Sequence, residues 1–411
     1  MTTDFTRKEF MTLLGLGLAS SQLNTVSADD SIAAETDKQA SWTDLRKQFL
    51  LPTKLSYLNN GSLGPCPRIV LAKTIAALRG LEQNPVHEFW GKQFKQTEII
   101  RKKLANFVHC QSGEISITRN TTEGMNAIAQ GIQFKPGDHI LTTDQEHAGG
   151  FLCWQYYAKR ENLKLEKIKI SSTDSSAAIV NKFRSAITDR TRVISLSHIT
   201  YTTGHRLPVK EIAELARKNK ILSVVDGAQA LGMIQVNLKG LGCDAYASST
   251  HKWLLAPKGT GILYIRQSAA KEIAPLIRAA GPGTYSSSFG SGDLPGMIGL
   301  GAALNFQNAL GPDKIEAHAM SLQKQLQQGL KKMKAVKMIS PELVSQRSAL
   351  TCFEIKGVAG SKVAAKLSSD FNTTVKTVYH GNDQYLRVST HLYNTREEIE
   401  QFLKNLKKVT A

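Results

Sequence analysis

The feature that most constrains this fold is the regular alternation of short apolar runs with longer amphipathic ones between residues 115 and 265. Residues 115–118, 139–143, 165–170, 192–196, 221–225, 243–248 and 262–265 read as strands, being too short for stable helices and bounded by turn-forming residues. Between them, residues 149–159, 177–187 and 209–218 repeat their apolar positions with helical spacing, and Met125, Ile128, Ala129 and Ile132 mark a further helix. Strands alternating with helices imply an α/β fold with a mostly parallel, seven-stranded sheet flanked by helices. Open sheets of this kind bind ligands at the carboxyl ends of their strands. The residues that follow each strand are therefore the candidates for function.

Two strand ends carry chemistry. The strand at 221–225 runs into Asp226-Gly227-Ala228-Gln229, and the strand at 243–248 into Ser249-Thr250-His251-Lys252-Trp253. A lysine whose pKa is lowered by burial or neighbouring cations becomes a nucleophile and forms a Schiff base with an aldehyde. The commonest such aldehyde is pyridoxal phosphate, which requires a lysine, a carboxylate at its ring nitrogen and donors for its phosphate. Lys252 and Asp226 supply the first two. The third is available where Arg119-Asn120-Thr121-Thr122-Glu123 opens a helix, because helix N-terminal amides form an anion site. Each feature also has a plain reading: a solvated lysine, a capping aspartate, an N-cap threonine. Their combination favours the chemical one.

Val225-Asp226-Gly227-Ala228-Gln229 followed by Ser249-Thr250-His251-Lys252 resembles the class V aminotransferase superfamily of pyridoxal-phosphate enzymes, which includes cysteine desulfurases, selenocysteine lyases, kynureninase and isopenicillin N epimerase. The resemblance runs from about Tyr57 to the C-terminus and implies the fold type I architecture. It makes Lys252 the Schiff-base lysine, Asp226 the partner of the ring nitrogen and His147, in Glu146-His147-Ala148, the residue stacked on the ring. Thr121, Thr122, Ser249 and His251 are implied at the phosphate, and Gln229 at the phenolic oxygen. Thr284, in Gly281-Pro282-Gly283-Thr284, is implied to reach the phosphate of a neighbouring subunit, which makes the site one shared within a homodimer. Asn60 and Gly61, in Asn59-Asn60-Gly61-Ser62-Leu63-Gly64, and Arg387 are implied to contact the substrate, the arginine clamping its carboxylate.

Two departures narrow the reading. Where desulfurases carry an asparagine, the segment Ser197–Gly204 has Tyr201. Where they carry a catalytic cysteine, residues 375–381 have none, and Cys352 lies too early in the chain, which argues against persulfide chemistry. The overall likeness leans toward the isopenicillin N epimerase-like branch. The expected enzyme acts on an amino acid through Cα deprotonation as an epimerase or aminotransferase, with a C–S β-lyase lacking the catalytic cysteine as the alternative. A non-catalytic binding protein of the same fold is disfavoured by the joint presence of Lys252, Asp226, His147 and Arg387.

The remaining sequence sets the surroundings. A length of 411 residues exceeds one ordinary core and implies two domains. Residues 57–312 form the expected large domain; 313–411 form a helix bridging to a small α+β domain, with the helix expected over 313–336. Residues 1–28 combine a charged start, a short apolar run at 11–19 and small residues at 26–28, the pattern of an export signal with a twin-arginine-like Arg7-Lys8 pair. A periplasmic location is expected if it operates, and a cytoplasmic one if it is only a tail. Residues 29–56 read as a linker with a short helix at 42–49. The formal charge of +18 is not gathered into a basic run with interleaved aromatics, so no nucleic-acid partner is expected. No later segment reads as membrane-spanning. The five cysteines lack metal-site spacing, and no metal is expected.

Overall fold

A computed structural model describes residues 42–410, apart from 276, 278–284, 286–289 and 382. The expected export signal and Thr284 lie outside the described residues.

Seven strands form the central sheet: β1 Ile115–Thr118, β2 His139–Thr143, β3 Lys164–Ile168, β4 Thr191–Ser197, β5 Leu222–Asp226, β6 Ala245–Ser249 and β7 Gly261–Ile265. Their spatial order is β1-β7-β6-β5-β4-β2-β3. The neighbours from β6 to β3 pair in parallel, and β7 pairs antiparallel with both β6 and β1. Strict alternation splits the side chains between two faces. Ile140, Val193, Val224, Ala245, Ala247 and Leu263 pack in one apolar cluster with Met125, Ile128 and Trp154. Leu141, Ile194, Leu196, Val225, Tyr246 and Ile262 pack in the other with Ile212, Ala213 and Ala216. Covered on both sides, the strands read as continuous apolar runs. The edge strand β3 is the exception, and its Lys164 and Lys167 are exposed, a usual guard against pairing with another chain.

The helices are α1 Arg68–Gln83, α2 Phe94–Phe107, α3 Thr121–Gly131, α4 Ala148–Arg160, α5 Ser176–Ala186, α6 Val209–Lys218, α7 Leu294–Leu310, α8 Pro312–Lys331, α9 Gly360–Phe371 and α10 Arg396–Thr410. Sequence periodicity does not reveal α7, because it packs against α1 and α2 and is apolar around most of its circumference. Helix α8 ends at Lys331 rather than at 336, and the short helix near the start is Trp42–Arg46 rather than reaching 49. Beyond α8 the chain turns, and Val336–Met338 becomes β8, paired with β9 Leu350–Ile355. Pairing with a sheet outweighs the helical tendency of the Lys- and Met-rich segment.

The second sheet is completed by β10 Lys376–His380 and β11 Asp383–Ser389, in the order β10-β11-β9-β8. One face, carrying Phe353, Leu386 and Val388, packs on Leu322, Leu326, Val363, Leu367, Ile399, Phe402 and Leu406 from α8, α9 and α10. The other face, carrying Arg387 and Ser389, meets the large sheet's carboxyl edge. No helix among the described residues is long and apolar enough to cross a membrane.

Candidate active site

Asp226 is the last residue of β5 and is 5% exposed. Its Oδ1 accepts the amide of Ala228 at 2.9 Å. Burial pushes its carboxyl up from the ordinary range, opposed by that amide and by Lys252. Helix α4 crosses it closely: a methyl group on Gly150 would lie 2.4 Å from Asp226 Oδ2. Only glycine admits the helix there, leaving no protein side chain over the carboxylate from that position. Next to it, the Glu146 carboxylate accepts Ser197 N at 3.0 Å, Ser197 Oγ at 2.6 Å and Thr143 Oγ1 at 2.5 Å, tying the end of β2 to the end of β4. Burial holds Glu146 up to about 7 in spite of these donors, with the Asp226 charge adding to the shift.

Lys252 lies in the strap between β6 and β7, partly buried. Burial lowers its pKa to about 8; Asp226 opposes the shift and Arg387 reinforces it. Three consecutive carbonyls hold the strap in place. His251 O accepts Gly64 N at 3.0 Å, Lys252 O accepts Asn60 Nδ2 at 3.4 Å, and Trp253 O accepts His391 Nε2 at 2.8 Å and Gln307 Nε2 at 3.1 Å. The approach is close enough that a methyl on Gly64 would lie 2.0 Å from Lys252 O. The strap ends with Leu255 at φ 61°, a left-handed conformation rare for a branched side chain. Lys252 is thus positioned by donors on the carbonyls around it, from the N-terminal loop, α7 and the segment that follows β11.

On the far side of Asp226, Asn120 caps α3 by accepting Glu123 N at 2.9 Å. Ser249 Oγ accepts the Thr121 amide at 3.0 Å and lies 2.8 Å from Thr121 Oγ1, so the end of β6 meets the start of α3. Thr122 is exposed beside them, close enough to α4 that a methyl on Gly149 would touch its Oγ1 at 2.4 Å. His251 Nδ1 donates to Thr260 O at 3.1 Å, leaving Nε2 as a neutral acceptor; burial lowers the ring's pKa to about 4, and Lys252 adds to the effect. A helix N-terminus and three hydroxyls converge here, a donor set that suits a phosphate, with the neutral His251 ring beside them.

Arg387 is 3% exposed. Its Nη1 donates to Tyr201 O at 3.2 Å and its Nη2 to Ser62 Oγ at 3.1 Å, while Nε has no partner. No carboxylate pairs with it among the described residues. His147 caps α4 by accepting Gly149 N on Nδ1 at 3.0 Å, and its ring meets Tyr201 edge-on at 4.9 Å. Burial lowers its pKa to about 4, followed by the charges of Lys252, Arg387 and Lys376, so it is a neutral ring at physiological pH. Asp226, His147 and Arg387 are therefore gathered within electrostatic reach of Lys252.

The structure reassigns Asn60 and orients Gln229. Gln229 Nε2 donates one of its two hydrogens to Gly61 O at 2.9 Å and its Oε1 accepts Trp253 Nε1 at 2.8 Å, which fixes the amide in the wall of the site. Asn60 is fully buried between Lys252 O and the Tyr393 hydroxyl, 3.1 Å from its Oδ1, and serves the strap rather than facing substrate. Gly61 does lie against Arg387, where a methyl would come within 3.1 Å of Nη2. Trp253, His391, Gln307 and Glu146 escaped sequence reading: the first three act through backbone carbonyls, which leave no pattern. Glu146 alone had a signal, its place beside His147. Cys352, distant in sequence, is the cross-strand partner of Arg387, yet it is fully buried and its thiol is pushed up to about 12.

The geometry agrees with what the chain is similar to. An aminotransferase class-V model matches residues 56–402. The isopenicillin N epimerase of Amycolatopsis lactamdurans is 29% identical over 395 residues, covering 90% of this chain and 99% of the epimerase. A probable cysteine desulfurase of Methanothermobacter thermautotrophicus is 26% identical, covering 90% of this chain and 98% of its own. Among solved structures, the apo cysteine desulfurase from Thermococcus onnurineus NA1 superposes with a TM-score of 0.80 at 26% identity, covering 89% of this chain and 97% of that one. The cystine C–S lyase C-DES, complexed with its product cysteine persulfide, gives 0.79 at 26% identity, covering 86% and 97%. With a lysine, a buried carboxylate, a histidine and a buried arginine brought together at the strand ends and the family model spanning residues 56–402, the chain belongs to the class V aminotransferase family of pyridoxal-phosphate-dependent enzymes.

Proposed function

We propose that this enzyme binds an amino acid by its α-carboxylate on Arg387 and removes the Cα proton with Lys252, as an epimerase or aminotransferase. The observation that carries the reading is Arg387 itself. A guanidinium buried with only a carbonyl and a hydroxyl as partners is costly unless an anion completes it, and a carboxylate matches its fork. Pyridoxal phosphate, when bound, withdraws the electrons left on Cα. Asp226 would hold a proton at the ring nitrogen, Thr121, Thr122 and Ser249 would hold the phosphate with His251 beside them, and His147 presents a neutral ring face. Lys252 needs no strong neighbouring base to act, since burial already brings its pKa to about 8.

A second reading, C–S β-lysis, is supported by the likeness to the cystine C–S lyase and requires no cysteine of the protein. Buried Cys352 is unsuited to act as a sulfur acceptor.

Two further features complete the proposal. The enzyme is a homodimer, a reading supported by the exposed apolar side chains of Leu78, Val86, Trp90, Phe94 and Ile99 on and between α1 and α2, with Thr284 completing the partner's phosphate site. Residues 1–28 direct it to the periplasm, supported by their charged, apolar and small-residue order.

The test is spectral. Protein supplied with pyridoxal phosphate is expected to gain a visible band that Lys252→Ala loses. Titration with L- and D-amino acids then separates the outcomes by product: an exchanged Cα proton, an aminated cofactor, or released sulfur. A wild type that gains no band overturns the reading.

A further inference from the structure

Lys376 and Arg387 face one another directly across the β10–β11 pair, as Cα partners in antiparallel register. Residues so placed project from the same face with Cβ atoms about 5 Å apart, and like charges in that position destabilise a sheet. Neither has a carboxylate partner among the described residues: Arg387 meets only Tyr201 O and Ser62 Oγ, and Lys376 is exposed. Two adjacent, uncompensated cations are a cost to folding that a solvated surface does not explain, because Arg387 is buried.

This face borders the catalytic cleft. Along it, Ser389 Oγ accepts Gly61 N at 3.1 Å, and His380, two residues beyond Val378 on the same face, donates to Asp144 O at 3.2 Å. Lys376 lies between these two contacts with the large domain. His147 in the cleft senses the charges of both Arg387 and Lys376. Binding an α-carboxylate occupies Arg387 and leaves the second cation facing the same volume.

We propose that the substrate is an amino acid whose side chain carries a second carboxylate, with Arg387 holding the α-carboxylate and Lys376 the distal one. This rests on the reading of Arg387 given above and names the substrate class for that site. Lys376 then acts as the specificity residue. Its exposure suits a group that must release the distal end of the product, and its flexible stem suits acceptance of more than one chain length.

The test uses the cofactor-loaded full chain and ligands without an amine, which occupy the cleft without reacting. Thermal unfolding is followed against succinate, glutarate and adipate, with propionate and butyrate as monocarboxylates. At least one dicarboxylate is expected to stabilise the protein at about tenfold lower concentration than the monocarboxylates. Lys376→Met should abolish that preference while leaving the monocarboxylate response unchanged, Lys376→Arg should restore it, and Arg387→Leu should remove both responses. Equal stabilisation of the wild type by mono- and dicarboxylates, or a preference that survives in Lys376→Met, overturns the proposal. Loss of the visible band with pyridoxal phosphate would instead overturn the functional reading, so the two failures are distinct.

Discussion

The imidazole of His391 donates from Nε2 to the carbonyl oxygen of Trp253 at 2.8 Å, joining the small domain to the residue that follows Lys252. The acceptor requires the proton on Nε2, and burial lowers the ring's pKa to about 3, so the donor is neutral at every physiological pH. Replacement by leucine removes one of the two donors on Trp253 O, Gln307 being the other. His391→Leu is expected to lower stability by about 1–2 kcal/mol and to weaken cofactor retention. His391→Gln, which restores a donor, should recover part of both in calorimetry and cofactor-binding titrations. Unchanged retention in the leucine variant would show that the strap does not depend on this tie.

Lys252 sets a pH dependence that is readable without substrate. With its pKa lowered to about 8, its free amine appears well below the range of surface lysines. Modification of Lys252 in the cofactor-free protein by an amine-reactive reagent, followed by peptide mass spectrometry, should be half-maximal near pH 8. Asp226 raises this pKa, so Asp226→Asn should move the midpoint down; Arg387 lowers it, so Arg387→Gln should move it up.

Glu146 makes stability fall with rising pH. Its folded pKa stands near 7 against an ordinary 4.5, so the folded state keeps a proton that the unfolded state has released. This contribution is complete below about pH 4.5 and is lost as pH rises to about 7, a change on the order of 3 kcal/mol. Glu146→Gln, isosteric and neutral, should flatten that slope in urea unfolding measured from pH 5 to 8. A slope unchanged by the substitution would refute the assignment.

Cys352 tests the exclusion of a thiol nucleophile. Fully buried and with its thiol pushed up to about 12, it should resist alkylation in the native protein. Cys352→Ala should retain catalysis within about twofold and lose about 1 kcal/mol of stability from the emptied volume. Loss of turnover without loss of stability would return Cys352 to the mechanism.

Legibility followed periodicity. Six strands of the large sheet were readable as short runs covered on both faces, the edge strand β3 by its place in the strand–helix alternation, and α6 because its apolar stripe is well separated from its charged face. Helix α7 was not, since a helix surrounded by protein has no polar face to reveal its period. Strand β8 was not, since three residues are too few to carry one and its strand character comes from pairing with β9. In the site, Lys252 and Asp226 stand out in the sequence because they lie at or just beyond strand ends on the sheet's carboxyl edge, whereas His147 was singled out by the family resemblance. Asn60 was expected to face the substrate, although it is fully buried and bonded to Lys252 O and the Tyr393 hydroxyl.

The sequence by itself determined the α/β class, the lysine and carboxylate at adjacent strand ends and the helix opening that suits a phosphate, because local pattern and strand-end position are properties of contiguous residues. Only the tertiary structure decided which backbone carbonyls anchor the Lys252 strap, that Cys352 and Lys376 flank Arg387 across the sheet, and that Arg387 lies buried without a counter-charge among the described residues. Those depend on strand register and on the meeting of segments separated in the chain, where burial and distance set charge and contact, and no local pattern encodes them.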